Sequence, residues 1–202
     1  MVLYNGRSTM VSFIQVTKDD FKLNMQIEVL NKMVFPSTKS TDDLHFLADF
    51  YQGASVDFIA IMDEERFVGY AYMVNFFQAS YVVYLAIRPD YQGNGYGSIL
   101  LNHLREIQGE RPIVLTANAL GNEDEDLDIS ARRRWFYVRN GYIDQHIPFP
   151  SHENHRSDVY MNGFGLSYIE IMATLDKVNT FFNTLIVPRN NFSGIPTLPK
   201  LN

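Results

Sequence analysis

Cysteine is absent from all 202 residues of this chain. That removes disulfide staples, thiolate metal sites and a cysteine nucleophile at one stroke, and it fits a cytoplasmic protein. Long apolar runs are missing as well, and no stretch is long enough to cross a bilayer. The opening MVLYNGRSTMVSFIQVTK has no basic start, apolar centre or small-residue cleavage site, so no secretory leader and no membrane partner are expected. The sequon Asn191-Phe192-Ser193 is accordingly read as chance. Positive charge is scarce: 17 Lys and Arg stand against 23 Asp and Glu, a net charge of −6. Duplex binding needs a basic face that releases counterions, so a nucleic-acid partner is not expected and a cationic substrate is favoured. Arg132–Arg134 form the basic cluster; with the acidic run Glu123–Asp128 beside them they read either as a self-neutralising helix start or as a place where one arginine meets a phosphate of the ligand.

The segment YVVYLAIRPDYQGNGYG, Tyr81–Gly97, leads directly into a helical pattern. A β-branched and aromatic strand, a loop with Gly93, Gly95 and Gly97, and a helix start together aim several main-chain N–H groups at one anion. A phosphorylated ligand is the first expectation, set against a plain tight turn. No Gly-Lys-Ser or Gly-Lys-Thr follows, so this is not a P-loop. The glycines run G-x-G-x-G, and the acidic ribose partner of a dinucleotide fingerprint has no candidate.

Gln92-x-x-Gly95-x-Gly97 after Ala86-Ile87-Arg88-Pro89 resembles the acyl-CoA-binding segment of the GNAT N-acetyltransferase superfamily. A later segment, Arg132-Arg133-Arg134-Trp135-Phe136-Tyr137-Val138-Arg139-Asn140-Gly141-Tyr142, is similar to that family's helix carrying Phe-Tyr and closing at Asn-Gly. Local chemistry agrees, with Asp128 or Ser130 as caps and Asn140-Gly141 as a left-handed stop. The similarity runs from about Phe13 to Leu175 and is closest to a bacterial subgroup whose acceptor it does not name.

Periodicity places strands at Phe13–Val16, Val56–Met62, Phe67–Phe77, Tyr81–Arg88, Ile113–Ala117, Tyr142–Ile147 and Tyr168–Leu175. Helices are expected from Asp19 or Asp20 to Met33, from Thr41 or Asp42 to Tyr51, over Gly95–Glu110 (Leu100, Leu104 and Ile107 on one face), over Ser130–Asn140, and from Asp176 to about Leu185. Pro148–Gly165 reads as a loop. The expected fold is α/β (α+β): a mixed, mainly antiparallel sheet with helices on both faces. The resemblance adds that the central strands Tyr81–Arg88 and Ile113–Ala117 splay apart. One domain over residues 1–186 is expected, with a proline-containing tail at 187–202 that could seat a homodimer.

The resemblance implies acetyl-CoA as acyl donor. Its pyrophosphate would meet the amides of Gln92, Gly93, Asn94, Gly95, Tyr96, Gly97 and Ser98, and its pantetheine arm would pair with Leu85, Ala86 and Ile87. Tyr137 is the expected acid for the departing thiolate, since a phenol keeps its proton at neutral pH; the other reading is a core aromatic with its hydroxyl tied to a carbonyl. The base is open: Tyr81–Ile87 holds no carboxylate, which leaves Glu123, Asp124, Glu125, Asp126, Glu170 or solvent. His152-Glu153-Asn154-His155 lacks the H-E-x-x-H spacing, so no metal is expected. Tyr70, Tyr72, Phe76 and Phe77 line either an acceptor pocket or the core. The expected activity is direct transfer of an acetyl group to a primary amine of a small molecule or peptide. A non-catalytic acyl-CoA sensor of the same fold is the alternative.

Overall fold

The computed structural model describes residues 2–4, 7–35, 40–51, 53–118, 127–150 and 156–183. They fall into two compact units, Met1–Asn75 with Val83–Ile107, and Phe76–Val82 with Gln108–Asn202.

The first unit opens with an antiparallel hairpin of β1 (Val2–Tyr4) and β2 (Arg7–Thr9). Then come β3 (Val11–Gln15), α1 (Phe21–Val34), α2 (Thr41–Phe50), β4 (Ser55–Asp63), β5 (Arg66–Asn75), the Val83–Ile87 part of β6 (Ser80–Ile87) and α3 (Tyr96–Gln108). The second unit holds the start of β6, then β7 (Ile113–Asn118), α4 (Leu127–Arg139), β8 (Ile143–Pro150), β9 (Arg156–Asn162) and α5 (Tyr168–Asn183). Hydrogen bonds link seven strands in the order β3-β4-β5-β6-β7-β9-β8. The β6–β7 pair is parallel, while β3–β4, β4–β5, β7–β9 and β8–β9 are antiparallel. This is the mixed, mainly antiparallel sheet expected from the strand pattern.

Helix starts follow side-chain chemistry. Asp20 precedes α1, but its carboxylate accepts from the Thr17 amide at 2.8 Å and the Thr17 hydroxyl at 2.7 Å. Those bonds hold its pKa below the ordinary carboxylate value. α2 begins at Thr41, as expected, and Ser40 caps it in a reciprocal box with Asp43. From Phe67 through Asn75 every residue of β5 is buried. The Tyr70 hydroxyl donates to Asn31 Oδ1 and that of Tyr72 to the Leu44 carbonyl. These two tyrosines are therefore core, with their polar ends satisfied inside the unit. Phe76 is buried in the second unit, whereas Phe77 is 94% exposed.

Three expectations are corrected. In α3 the buried leucines are Leu100, Leu101 and Leu104, while Ile107 is 43% exposed. The stretch 148–165 contains the end of β8 and all of β9; six residue pairs with β7 hold β9 in place despite its polar composition. Tyr168–Leu175 is the first half of α5 rather than a strand. Its aromatic and β-branched residues suit either state, but Ile171, Leu175, Val178 and Phe182 are all buried at helical spacing. Ser167 starts this helix with Glu170, so Asp176 lies inside it. The expectations for Glu123–Asp126, His152–His155 and residues 187–202 fall outside the described residues.

Candidate functional site

The glycine loop is built from the end of β6. One residue of β5 is bulged out between Gly69, opposite Ile61, and Phe67, opposite Met62. A Cβ on Gly69 would run into the Ala86 carbonyl and sit 2.8 Å from Ile87 Cδ1 and 3.0 Å from Ile87 Cα. Only glycine lets β5 approach the last residues of β6 this closely. The Arg88 amide then donates to the Val68 carbonyl at 2.9 Å, and Arg88 Nη1 to the Phe67 carbonyl at 3.1 Å. Arg88 also forks onto Asp90 at 3.1 and 2.6 Å. The strand end is thus clamped before the loop begins.

A single 3-10 turn, Pro89–Tyr91, reverses the chain. Gln92 Nε2 donates back to the Ile87 carbonyl at 2.9 Å, and Asn94 Nδ2 donates to the carbonyls of Tyr91 and Gln92. These two amide side chains hold the loop's shape. Gly93 and Gly95 have φ of 77° and 84°, the left-handed region that other residues adopt only with strain. The first helical bond of α3 runs from the Ile99 amide to the Gly95 carbonyl at 3.1 Å. Tyr96 is buried, and its hydroxyl donates to Asp63 Oδ2 at 2.8 Å. Burial and then that bond push the phenol up to about 12, and the side chain anchors the helix start.

Among the described residues, the amides of Gly93, Asn94, Gly95, Tyr96, Gly97 and Ser98 have no hydrogen-bond acceptor. They sit where the dipoles of α3 concentrate positive potential, an arrangement suited to a multiply charged oxyanion. The Gln92 amide is already bonded to the Pro89 carbonyl at 3.3 Å. A cavity of about 530 Å³, lined by Met25, Val29, Met33, Phe67, Arg88 and Pro89, opens beside the start of this loop. Upstream in the same unit, Ala86 is buried and Leu85 and Ile87 are half-buried. Pairing with β7 engages only Ser80, Tyr81 and Val82 of β6.

The second unit carries Tyr137 near the end of α4. Asn140 Nδ2 donates to the Phe136 carbonyl at 2.7 Å, and Gly141, at φ 80°, ends the helix as its sequence foretold. The Tyr137 ring lies 6.1 Å from that of Tyr142 and 5.7 Å from that of Tyr160. Its hydroxyl has no hydrogen-bond partner among the described residues, unlike the tied phenols of Tyr70 and Tyr72. Burial pushes the Tyr137 phenol up while Arg133 pulls it back, so the group is fully protonated at neutral pH. Arg134 pairs with Asp144 at 3.3 Å. Glu170 is the cap of α5, accepting from the Ser167 amide and hydroxyl at 2.8 Å each, and those bonds lower its pKa. Those two bonds give Glu170 a structural role at the start of α5.

Residues 54–144 match the family model of the GNAT acetyltransferase domain. No curated protein sequence matches the chain. Among solved structures, the chain is similar to a protein from Bacteroides thetaiotaomicron assigned to the GNAT acetyltransferase family, with TM-score 0.65 and 22% identity over 87% of this chain and 97% of that one. The ribosomal-protein-S18-alanine N-acetyltransferase from Escherichia coli aligns with TM-score 0.58 and 16% identity, covering 78% of this chain and 96% of the other. An aminoglycoside 6'-N-acetyltransferase complexed with coenzyme A gives TM-score 0.58 and 15% identity over 75% and 96%.

Proposed function

Since residues 54–144 match the model of the GNAT acetyltransferase domain, we propose that the chain moves the acetyl group of acetyl-CoA onto a primary amine of a small molecule or peptide by direct attack in a ternary complex. The observation that carries this reading is the row of unoccupied amides from Gly93 to Ser98 at the start of α3. The pyrophosphate of the donor binds there, each charge-assisted N–H bond contributing about 1.5–3 kcal/mol. The main chain of Leu85, Ala86 and Ile87 holds the pantetheine amides as a neighbouring strand would. The amine nitrogen attacks the thioester carbon, the carbon–sulfur bond breaks, and Tyr137 gives its proton to the leaving sulfur. A direct route suits a chain with no cysteine to carry an acyl-enzyme.

The lack of any carboxylate in Ser80–Ile87 keeps one rival in play, a sensor that binds acyl-CoA without turning it over. Calorimetry with acetyl-CoA tests the shared premise, and an absence of binding at millimolar donor removes both readings. CoA release in the presence of an amine library separates them. An enzyme carrying Tyr137→Phe keeps its donor affinity and loses turnover.

A further inference from the structure

One flank of α1 carries a carboxylate, the kind of group that β6 lacks. Glu28, Asn31 and Phe35 follow one another along that flank to the end of the helix, and each meets a different element of the first unit. Glu28 Oε2 accepts from the Thr41 amide at 3.0 Å, at the start of α2. Asn31 Oδ1 accepts from the Tyr70 hydroxyl on β5. The Phe35 ring lies 5.3 Å from that of Tyr84 on β6, which is itself 6.4 Å from Tyr72. Burial is the chief cause that raises the Tyr70 phenol, with Tyr84 adding to it, the Asn31 bond opposing it and Glu28 adding least. Asn31 is fully buried, yet its Nδ2 has no hydrogen-bond partner among the described residues. An unpaired buried donor of this kind is costly unless something polar comes to it.

Tyr84 immediately precedes Leu85, the first strand residue assigned above to the pantetheine arm, so this flank faces the strand that carries the donor. Glu28 is a half-buried carboxylate, 29% exposed, with Oε1 3.7 Å from Lys32 Nζ. The Lys32 ammonium is 74% exposed, and such a pair is worth little and easily exchanged. The aromatic faces of Phe35 and Tyr84 suit a cation.

We propose that Glu28 is the carboxylate that receives the acceptor, and that the acceptor is a protonated alkyl primary amine whose ammonium takes the place of Lys32. This rests on the acetyl-transfer reading above and deepens it. Glu28 accepts one proton from the ammonium and passes it to water. The freed lone pair forms the carbon–nitrogen bond as the carbon–sulfur bond breaks. The second nitrogen proton replaces the one given to sulfur, leaving an amide, CoA thiol and one proton in solution.

Glu28→Gln tests this, because glutamine keeps an oxygen for the Thr41 amide while removing the charge. Two acceptors are compared at pH 7: a linear alkylamine, which is cationic, and an arylamine, which is neutral. Loss of a charge-assisted bond corresponds to a fall in kcat/KM of about 10- to 100-fold for the alkylamine. The arylamine rate should move by less than about 3-fold on the same reasoning. Acetyl-CoA affinity should be unchanged. Equal losses for both amines would mark Glu28 as merely structural, and no loss, or no turnover of either amine by the unmodified protein, equally overturns the inference. Failure of the unmodified protein to bind acetyl-CoA would instead overturn the proposed function itself.

Discussion

Replacing Gly69 by alanine isolates one contact that the fold imposes on the loop. The residue lies inside β5 with no left-handed φ, so the substitution carries no backbone strain and its cost is purely steric. The new methyl would fall inside contact distance of the Ala86 carbonyl, and within 2.8 and 3.0 Å of Ile87 Cδ1 and Cα. The Ile87 side chain can rotate away, but the two main-chain atoms cannot, so the end of β6 must move by about half an ångström to one ångström, a typical overpacking response. Such insertions cost about 1–3 kcal/mol, which for a chain of this size lowers Tm by roughly 3–10 °C. The displaced atoms include Ile87, whose carbonyl accepts the Gln92 side chain and thereby sets the loop. Donor affinity should therefore fall along with stability. Differential scanning calorimetry and acetyl-CoA titration read the two effects. A Tm within about 1 °C of the parent, below the smallest expected overpacking cost, would refute the close approach of β5 to β6.

The other expectations concern the loop, the phenol and the acid limb of stability. Gly95→Ala places a side chain at φ 84°; the strain of about 1–2 kcal/mol should weaken acetyl-CoA binding by roughly 5- to 30-fold in calorimetry, and an unchanged Kd would sink the role given to this loop. Tyr137→Phe should cut the rate of CoA release by about 10²-fold or more while leaving Kd for acetyl-CoA alone, the usual scale of a lost general acid; equal rates would return Tyr137 to the core. His45, bonded through Nε2 to Asn24 at 2.9 Å, and His103, stacked on Phe13, both have their pKa lowered, chiefly by burial. Each contributes stability that is fully present above the unfolded imidazole value of about 6.5 and is lost as pH falls from there through the lower folded value. Tm measured from pH 7.5 down to 5 (roughly the imidazole range) should decline, and His45→Gln should flatten part of that decline; an unchanged slope would remove His45 from the account.

The glycine loop and the close of α4 could be read from sequence because their chemistry is local. A left-handed position favours glycine, and Gly93, Gly95 and Gly141 all have positive φ. Gly97 shows the limit of that reading, since it lies inside α3 as an ordinary helical residue. The first half of the helix at Tyr168–Asn183 was hidden because its residues suit both states, and the burial of Ile171, Leu175, Val178 and Phe182 settled which period prevailed. β9 was hidden for a related reason: its polar residues are held by pairing with β7 and β8, partners that no local window contains.

The same division runs through the candidate site. The amides of Gly93–Ser98 were foreseeable from residue types and spacing, because a strand, glycines and a helix start suffice to free them. That Gly69 admits the Ala86 carbonyl, that the Tyr70 and Tyr72 phenols are tied inside while Tyr137 is not, and that Glu28 lies along the flank facing Tyr84 were not foreseeable. Each depends on residues far apart in the chain being packed together, and that information exists only once the sheet and its helices have closed on one another.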